Sequence, residues 1–155
     1  MHLLSRFISL DSRQINDPAQ TAFFAIKGIH HDGHQFIEQL YKRGVHEFVV
    51  EEDSWNSNLI KKAEKWQGVS IHVVENSIQA LQQIAKNHRD RFHIPIVGIT
   101  GSNGKTTIKE WLGQILAVNY SVIKNPKSFN SQIGVPLSVW NIKPEHNLGI
   151  FEAGI

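Results

Sequence analysis

Eight consecutive residues, Thr100-Gly101-Ser102-Asn103-Gly104-Lys105-Thr106-Thr107, combine the residue types that phosphate chemistry needs. A nucleotide polyphosphate requires many N–H donors in a small concave space and a cation to offset its charge. Gly101 and Gly104 let the backbone turn tightly, so that successive N–H groups, those of Ser102 and Asn103 included, face one point. A helix opening at Lys105 adds the positive end of its dipole. Lys105 contributes a mobile point charge for the outer phosphates, and the Thr106 hydroxyl is placed to ligate Mg²⁺, with Thr107 closing the stretch. Ile99 stands where the common pattern G-x-x-x-x-G-K-[ST] has its first glycine, and Gly98 falls one residue early. The competing reading is an ordinary glycine-rich turn with a solvated lysine. An apolar run before the loop and an amphipathic stretch after it favour nucleotide binding.

Glu152 ends an apolar run two crossovers further on, at the carboxyl edge where α/β sheets bind their ligands. A carboxylate there can complete an Mg²⁺ shell with Thr106, since Mg²⁺ takes hard oxygen ligands; equally, it can face solvent from a strand end. His30 and His34 have the i, i+4 spacing of a helical metal pair, but Gly33 makes that stretch a turn and no carboxylate pattern completes a site. Lys86, His88, Arg89 and Arg91 gather at a helix end, where cations are favoured by the dipole anyway. The formal charge is only +2 and the cations form no stripe, which argues against a nucleic-acid partner. The chain has no cysteine, so neither disulfides nor a thiolate zinc site are available. No run approaches the roughly 20 apolar residues of a membrane span, no signal peptide is evident, and a cytoplasmic location is the default expectation.

These residues need elements to hold them. With 41% hydrophobic and 19% charged residues, the 155-residue chain is globular in composition. Apolar runs at 22–26, 48–50 and 71–74 predict strands, and helical spacing predicts helices over 36–41 and 59–66. A longer helix runs from Ile78 towards Arg91, with Ser77 as its cap, and Gly44 stops the first helix. After Pro95 the pattern restarts. A buried strand at 96–100 leads into the glycine loop, and Ile108, Trp111, Leu112, Ile115 and Leu116 trace a helix face. A strand at 121–123, a helix within 133–140 and a strand at 148–151 follow, the last delivering Glu152. Trp55, Trp66, Trp111 and Trp140 are expected in the core or half-buried. Strand–helix alternation makes the fold class α/β. The boundary falls near 90–95, giving a domain over 1–92 and the beginning of a second, truncated one over 93–155.

The phosphate loop resembles that of the Mur ligases, T-G-[ST]-N-G-K-[ST]-[ST], a family that also tolerates a non-glycine where Ile99 stands. Asn130-Ser131-Gln132-Ile133-Gly134-Val135-Pro136 is similar to the family's N-x-x-x-G-x-P segment, and Phe151-Glu152-Ala153-Gly154 to its E-x-G segment with the magnesium-binding glutamate. Asp11-Ser12-Arg13, Phe23-Phe24-Ala25, Gly28 and Asp32-Gly33-His34-Gln35-Phe36-Ile37 resemble the pattern of the family's uridine-binding domains. The resemblance covers nearly the whole chain and implies a small uridine-binding α/β domain followed by the start of a P-loop α/β domain. It implies that the full protein uses ATP and Mg²⁺ to join an amine to a UDP-N-acetylmuramoyl peptide through an acyl phosphate. The pair Phe129-Asn130 points to the branch that adds D-alanyl-D-alanine, and residues 44–50 are similar to members fused to an alanine racemase.

On this resemblance Lys105 and Asn130 take part in catalysis, with Asn130 positioning the peptide or a phosphate. Residues 101–107 bind ATP, and Thr106 and Glu152 hold the metal. Ser12, His30 and His31 fall where the family contacts the base, and Arg13 approaches the diphosphate; the bland alternative is that Ser12 and Arg13 only brace a turn. Only ten residues precede Asp11, fewer than in most members, and the amine-binding surface lies beyond the chain, so the 155 residues alone are expected to be inactive as a ligase. The rival readings are a P-loop kinase or NTPase with an unrelated first domain, a ligase of the folate-polyglutamate or another Mur type, and a non-enzymatic UDP-sugar-binding module.

Overall fold

The computed structural model describes residues 1, 3–29 and 31–154. Packing divides the chain into two compact units, Met1–Ala80 and Leu81–Ile155. In the first, strands β1 (Phe7–Ser9), β2 (Thr21–Phe24), β3 (Glu47–Glu51) and β4 (Ser70–Val74) form a parallel sheet in that spatial order. Helix α1 (Ile37–Lys42) connects β2 to β3, and α2 (Ser57–Ala63) connects β3 to β4. The register brings Phe23 opposite Phe48 and Phe48 opposite Ile71. β2 is buried along its whole length, which is why it reads as a continuous apolar run rather than an alternating one. Phe23, Phe48, Ile37, Leu40 and Val45 form the core, flanked by Tyr41 stacked on Trp66 at 4.5 Å. Each such apolar side chain removed from water contributes about 1.5–3 kcal/mol.

Two details of this unit depart from the pattern-based expectations. β1 has no apolar run to announce it: it is a three-residue edge strand with Phe7 exposed. The segment before it is held instead by Glu47, whose buried carboxylate accepts the Leu4 N–H (3.1 Å) and Ser5 N–H (2.8 Å) and pairs with His72 Nε2 at 3.0 Å. Ser77 is also not a cap. It is the first residue of α3 (Ser77–Arg89), and its buried hydroxyl donates to the Ala25 carbonyl at 2.9 Å. The free N–H of Gln79 is taken by the Asn76 side chain, also at 2.9 Å, so Asn rather than Ser does the capping.

The division between the units falls inside α3. The second unit continues from Leu81 through β5 (Ile96–Ile99), α4 (Lys105–Leu116), β6 (Val122–Lys124), α5 (Gly134–Trp140) and β7 (Leu148–Glu152). Its strands are parallel in the order β5-β7-β6, so the last strand in sequence is the central one and is buried throughout. Ile99, Leu148 and Ile150 form the core with Leu112, Leu116 and Val122. β5 is an edge among the described residues, and the expectation that it is buried fails for that reason: Ile96 and Val97 are about one-third exposed, and only Ile99 is covered. The apolar face of α4 splits the same way. Leu112 and Leu116 pack inward, while Ile108, Ile115 and Trp111 are exposed, so Trp111 is not a core residue.

At the end of α3, Arg89 donates to the Phe92 (3.3 Å) and Ile94 (3.5 Å) carbonyls, and the His88 ring bonds the Ile142 carbonyl at 2.9 Å. Burial, with Arg91 nearby, pushes the His88 imidazole below its ordinary range. Two members of the basic cluster, His88 and Arg89, are thus engaged by backbone carbonyls that lie outside α3. Between α5 and β7 the chain makes an exposed turn closed by the His146 N–H on the Lys143 carbonyl (3.0 Å) and the Lys143 N–H on His146 Nδ1 (2.9 Å). No helix among the described residues is long and apolar enough to cross a membrane.

Candidate active site

The strand–loop–helix unit forms where the sequence places it. Gly101 and Gly104 have φ of +135° and +76°, backbone conformations that an L side chain rarely adopts, and Gly104 stands at the N-cap of α4. Ser102, Asn103, Gly104 and Thr107 are exposed, with Lys105 and Thr106 half-buried. Lys105 opens the helix and its ammonium donates to the Gly101 carbonyl, so its charge lies over the loop that it follows.

Beside this loop the E-x-G segment is locked to its neighbours by backbone bonds. The Ala153 N–H donates to Ile99 O (2.9 Å) and the Gly154 N–H to Asn130 O (2.7 Å). A Cβ on Gly154 would lie 3.1 Å from that same oxygen, which accounts for glycine there. Gly134 is a stricter case: a Cβ would come within 2.8 Å of the Phe129 carbonyl carbon. The loop carrying Asn130 therefore packs directly on the start of α5.

Glu152 is fully buried at the end of the central strand, which excludes the solvent-facing alternative. Its two carboxylate oxygens have no hydrogen-bond partner among the described residues. Its backbone is held by a residue that sequence patterns did not single out. Buried Asn125 accepts the Glu152 N–H (3.0 Å) and donates to Glu152 O (2.8 Å) and to Phe129 O (2.7 Å). Lys109, also fully buried, sends its ammonium to the Lys127 carbonyl and stands 3.8 Å from Glu152 Oε2 and 3.5 Å from Glu110 Oε1. Lys124, bonded to Glu110, holds that carboxyl below its usual range. A lysine four residues after Lys105 looks like a solvated helix residue in sequence, and only its burial reveals otherwise.

A buried carboxylate without hydrogen bonds is costly unless a cation answers it. With the Thr106 hydroxyl it offers the hard oxygen donors that Mg²⁺ takes, so these residues fit that ion.

The first unit has its own candidate surface at the carboxyl ends of its strands. Two backbone bonds close the chain here, the Gly28 N–H on His31 O (2.8 Å) and the Gly33 N–H on Ile26 O (2.9 Å). His31 is exposed there; His30 lies outside the described residues. His34 is buried and both its ring nitrogens are engaged: Nδ1 lies 2.6 Å from Asp32 Oδ1, and Nε2 accepts the Glu51 N–H at 2.9 Å. That occupancy leaves it no lone pair for a metal, and no group of three or more His, Asp or Glu side chains among the described residues is placed to hold one. Burial acts to raise the Asp32 carboxyl, but bonds from His34 and the charge of Lys27 hold it below its ordinary range. Arg13 is paired with Asp11 through two bonds of 2.9 Å and is otherwise exposed, while the Ser12 carbonyl accepts from Arg43 at 2.7 Å. The Arg13 guanidinium keeps the Asp11 carboxyl well below the usual carboxylate range.

Two α/β units, each with a parallel sheet, the second with a glycine loop between a strand and a helix and a buried acid at the adjacent strand end, define a protein of the phosphate-loop α/β class. Family models give the particular group: "Mur ligase family, catalytic domain" matches residues 5–89 and "Mur ligase middle domain" residues 99–155. The chain belongs to the Mur ligase family. Among curated relatives, the UDP-N-acetylmuramoyl-tripeptide--D-alanyl-D-alanine ligases of Borreliella burgdorferi and Treponema pallidum are 36% and 32% identical, each over 96% of this chain and 32% of their own. Among solved structures, MurF of Thermotoga maritima in complex with ADP aligns with a TM-score of 0.78 at 30% identity, over 97% of this chain and 32% of its own. MurF of Acinetobacter baumannii aligns with a TM-score of 0.82 at 28% identity, over 97% and 30%. The chain spans about a third of the length of these relatives.

Proposed function

We propose that this chain supplies the uridine-binding and phosphate-binding parts of an ATP-dependent ligase that adds D-alanyl-D-alanine to a UDP-N-acetylmuramoyl tripeptide, a reaction of the cytoplasm. The observation that carries the reading is the buried carboxylate of Glu152, whose oxygens accept no hydrogen bond among the described residues, beside a strand–glycine loop–helix unit. ATP with Mg²⁺ would supply the phosphoryl group that activates the peptide carboxylate as an acyl phosphate for attack by the amine. The N–H groups of residues 101–104 and the start of α4 cradle the phosphates. Lys105 swings from the Gly101 carbonyl onto the outer phosphates and offsets charge that develops during transfer. Thr106 and Glu152 hold the metal, and Thr107 continues the phosphate contacts. Asn130, anchored through its carbonyl to Gly154, positions the peptide or the transferring phosphoryl group.

In the first unit, Ser12, His30 and His31 contact the base and Arg13 turns from Asp11 to the diphosphate. We assign residues 1–92 to the UDP-substrate domain and 93–155 to the beginning of the central domain; the separate family matches to 5–89 and 99–155 support that division.

Calorimetry with ADP and Mg²⁺, and chemical-shift mapping with UDP, test the two halves separately. Lys105→Ala should weaken ADP–Mg²⁺ binding by about 10-fold or more, as expected when one charge-assisted bond is lost. UDP should perturb Ser12 and the loop around His31. Equal ADP affinity in the variant, or UDP shifts centred on residues 101–107, would overturn the assignments.

A further inference from the structure

Lys109 is the unexplained group of the second unit. An ammonium has three N–H donors, and this one faces three oxygens: the Lys127 carbonyl, Glu110 Oε1 at 3.5 Å and Glu152 Oε2 at 3.8 Å. It has no exposed surface, nor has Glu152, whereas Glu110 is partly exposed and already bonded to Lys124. Burying a lysine costs free energy that a hydrogen bond to one carbonyl does not recover; a buried charge is tolerated where an opposite charge shares its site. Glu152 has the complementary need, since neither of its oxygens has a hydrogen bond.

We infer that Lys109 is a positioning residue, the built-in counter-ion of the Glu152 carboxylate, which holds that acid in place when no divalent cation is bound and shares it with the cation when one is. The inference rests on the metal-binding role proposed for Glu152. Geometry supports sharing rather than competition for a single oxygen. At 3.8 Å the ammonium sits beyond hydrogen-bond reach of Oε2, and Oε1 likewise accepts no hydrogen bond, so both oxygens keep lone pairs for a metal. The bond to Lys127 O gives the ammonium an anchor that is independent of Glu152, at a residue whose own φ is +49°. Lys109 thereby stays put whether or not the carboxylate is otherwise engaged.

The test is thermal unfolding of the whole chain with ADP, in EDTA and in saturating Mg²⁺, for wild type, Lys109→Gln and Lys109→Gln/Glu152→Gln. Glutamine keeps a donor for the Lys127 carbonyl and removes the charge. In EDTA, Lys109→Gln should unfold at least on the order of 5 °C below wild type. Mg²⁺ should shrink that deficit by half or more, because the metal then supplies the missing charge. The double variant should unfold closer to wild type than the single variant does in EDTA, and this holds as a criterion even if Lys109→Gln alone does not fold. A deficit that is the same with and without Mg²⁺, or a double variant no more stable than the single one, would show that Lys109 only braces the loop at Lys127. If Mg²⁺ does not stabilise the wild type with ADP at all, the metal role of Glu152 fails and this inference falls with it.

Discussion

Asn125 offers the sharpest perturbation of the site. Its side chain makes three bonds to backbone groups, two of them to Glu152 and one to Phe129. Asn125→Ala removes all three and strips the buried Glu152 N–H of its acceptor. At about 1 kcal/mol for each of the three net bonds, with a further 1–3 kcal/mol for a buried polar group left unsatisfied, the loss is about 4–6 kcal/mol. Against a typical total of about 5–15 kcal/mol, that is enough to loosen the unit. Asn125→Asp sharpens the logic, because it keeps an acceptor for the Glu152 N–H but turns a second oxygen onto two carbonyls. It should lose as much as alanine does. Urea unfolding followed on the Ile150 and Phe151 amides isolates the second unit, since the tryptophans sit in both units. A loss under about 1 kcal/mol for alanine, or an aspartate variant as stable as wild type, would refute the assignment of Asn125 as the clamp on Glu152.

Gly134→Ala drives a Cβ into the Phe129 backbone and should cost about 1–3 kcal/mol, readable as a lowered Tm. His34→Phe fills the same volume but leaves the Glu51 N–H without its acceptor; it should destabilise the first unit by about 1–3 kcal/mol and weaken UDP binding by calorimetry. Glu47 contributes to acid stability: burial acts to raise its carboxyl, but bonds from Ser5, Leu4 and His72 outweigh it and hold the value below the ordinary range. Its contribution is therefore complete above the ordinary glutamate value of about 4.3 and is lost as pH falls through the depressed folded value. Glu47→Gln should lower stability at neutral pH and flatten the acid limb of a pH–Tm profile; an unchanged limb would rule out Glu47 as its source.

Much of the chemistry is legible in the sequence because it follows local rules. The glycine loop needs tight turns between an apolar strand and an amphipathic helix, and those three features sit next to one another in sequence. Glu152 was legible as a candidate but not as a buried one, since a strand-end acid reads alike whether it faces water or the interior. Asn125 and Lys109 were invisible for a deeper reason: their partners are a strand end 27 residues away and a carbonyl 18 residues away, and no period or motif encodes such pairings. β1 was missed because three half-exposed residues carry no hydrophobic signal, and the exposure of Trp111 because amphipathic spacing says which residues share a face and not what covers it. Ser77 shows a choice between neighbours: Asn76 and Ser77 both suit a cap, and the Ala25 carbonyl took the serine.

The turn between α5 and β7 has a practical use. Because β7 is the central parallel strand, its start and its end face opposite edges of the sheet, and four residue steps of about 3.3 Å separate Leu148 from Glu152 by about 13 Å. Lys143, Pro144 and Glu145 are exposed in that turn. A fluorophore, an epitope or a short inserted peptide grafted there would sit just ahead of the strand that ends in the acid, at the opposite end from it. Such a label would report strain transmitted along β7 while leaving the ligand edge free.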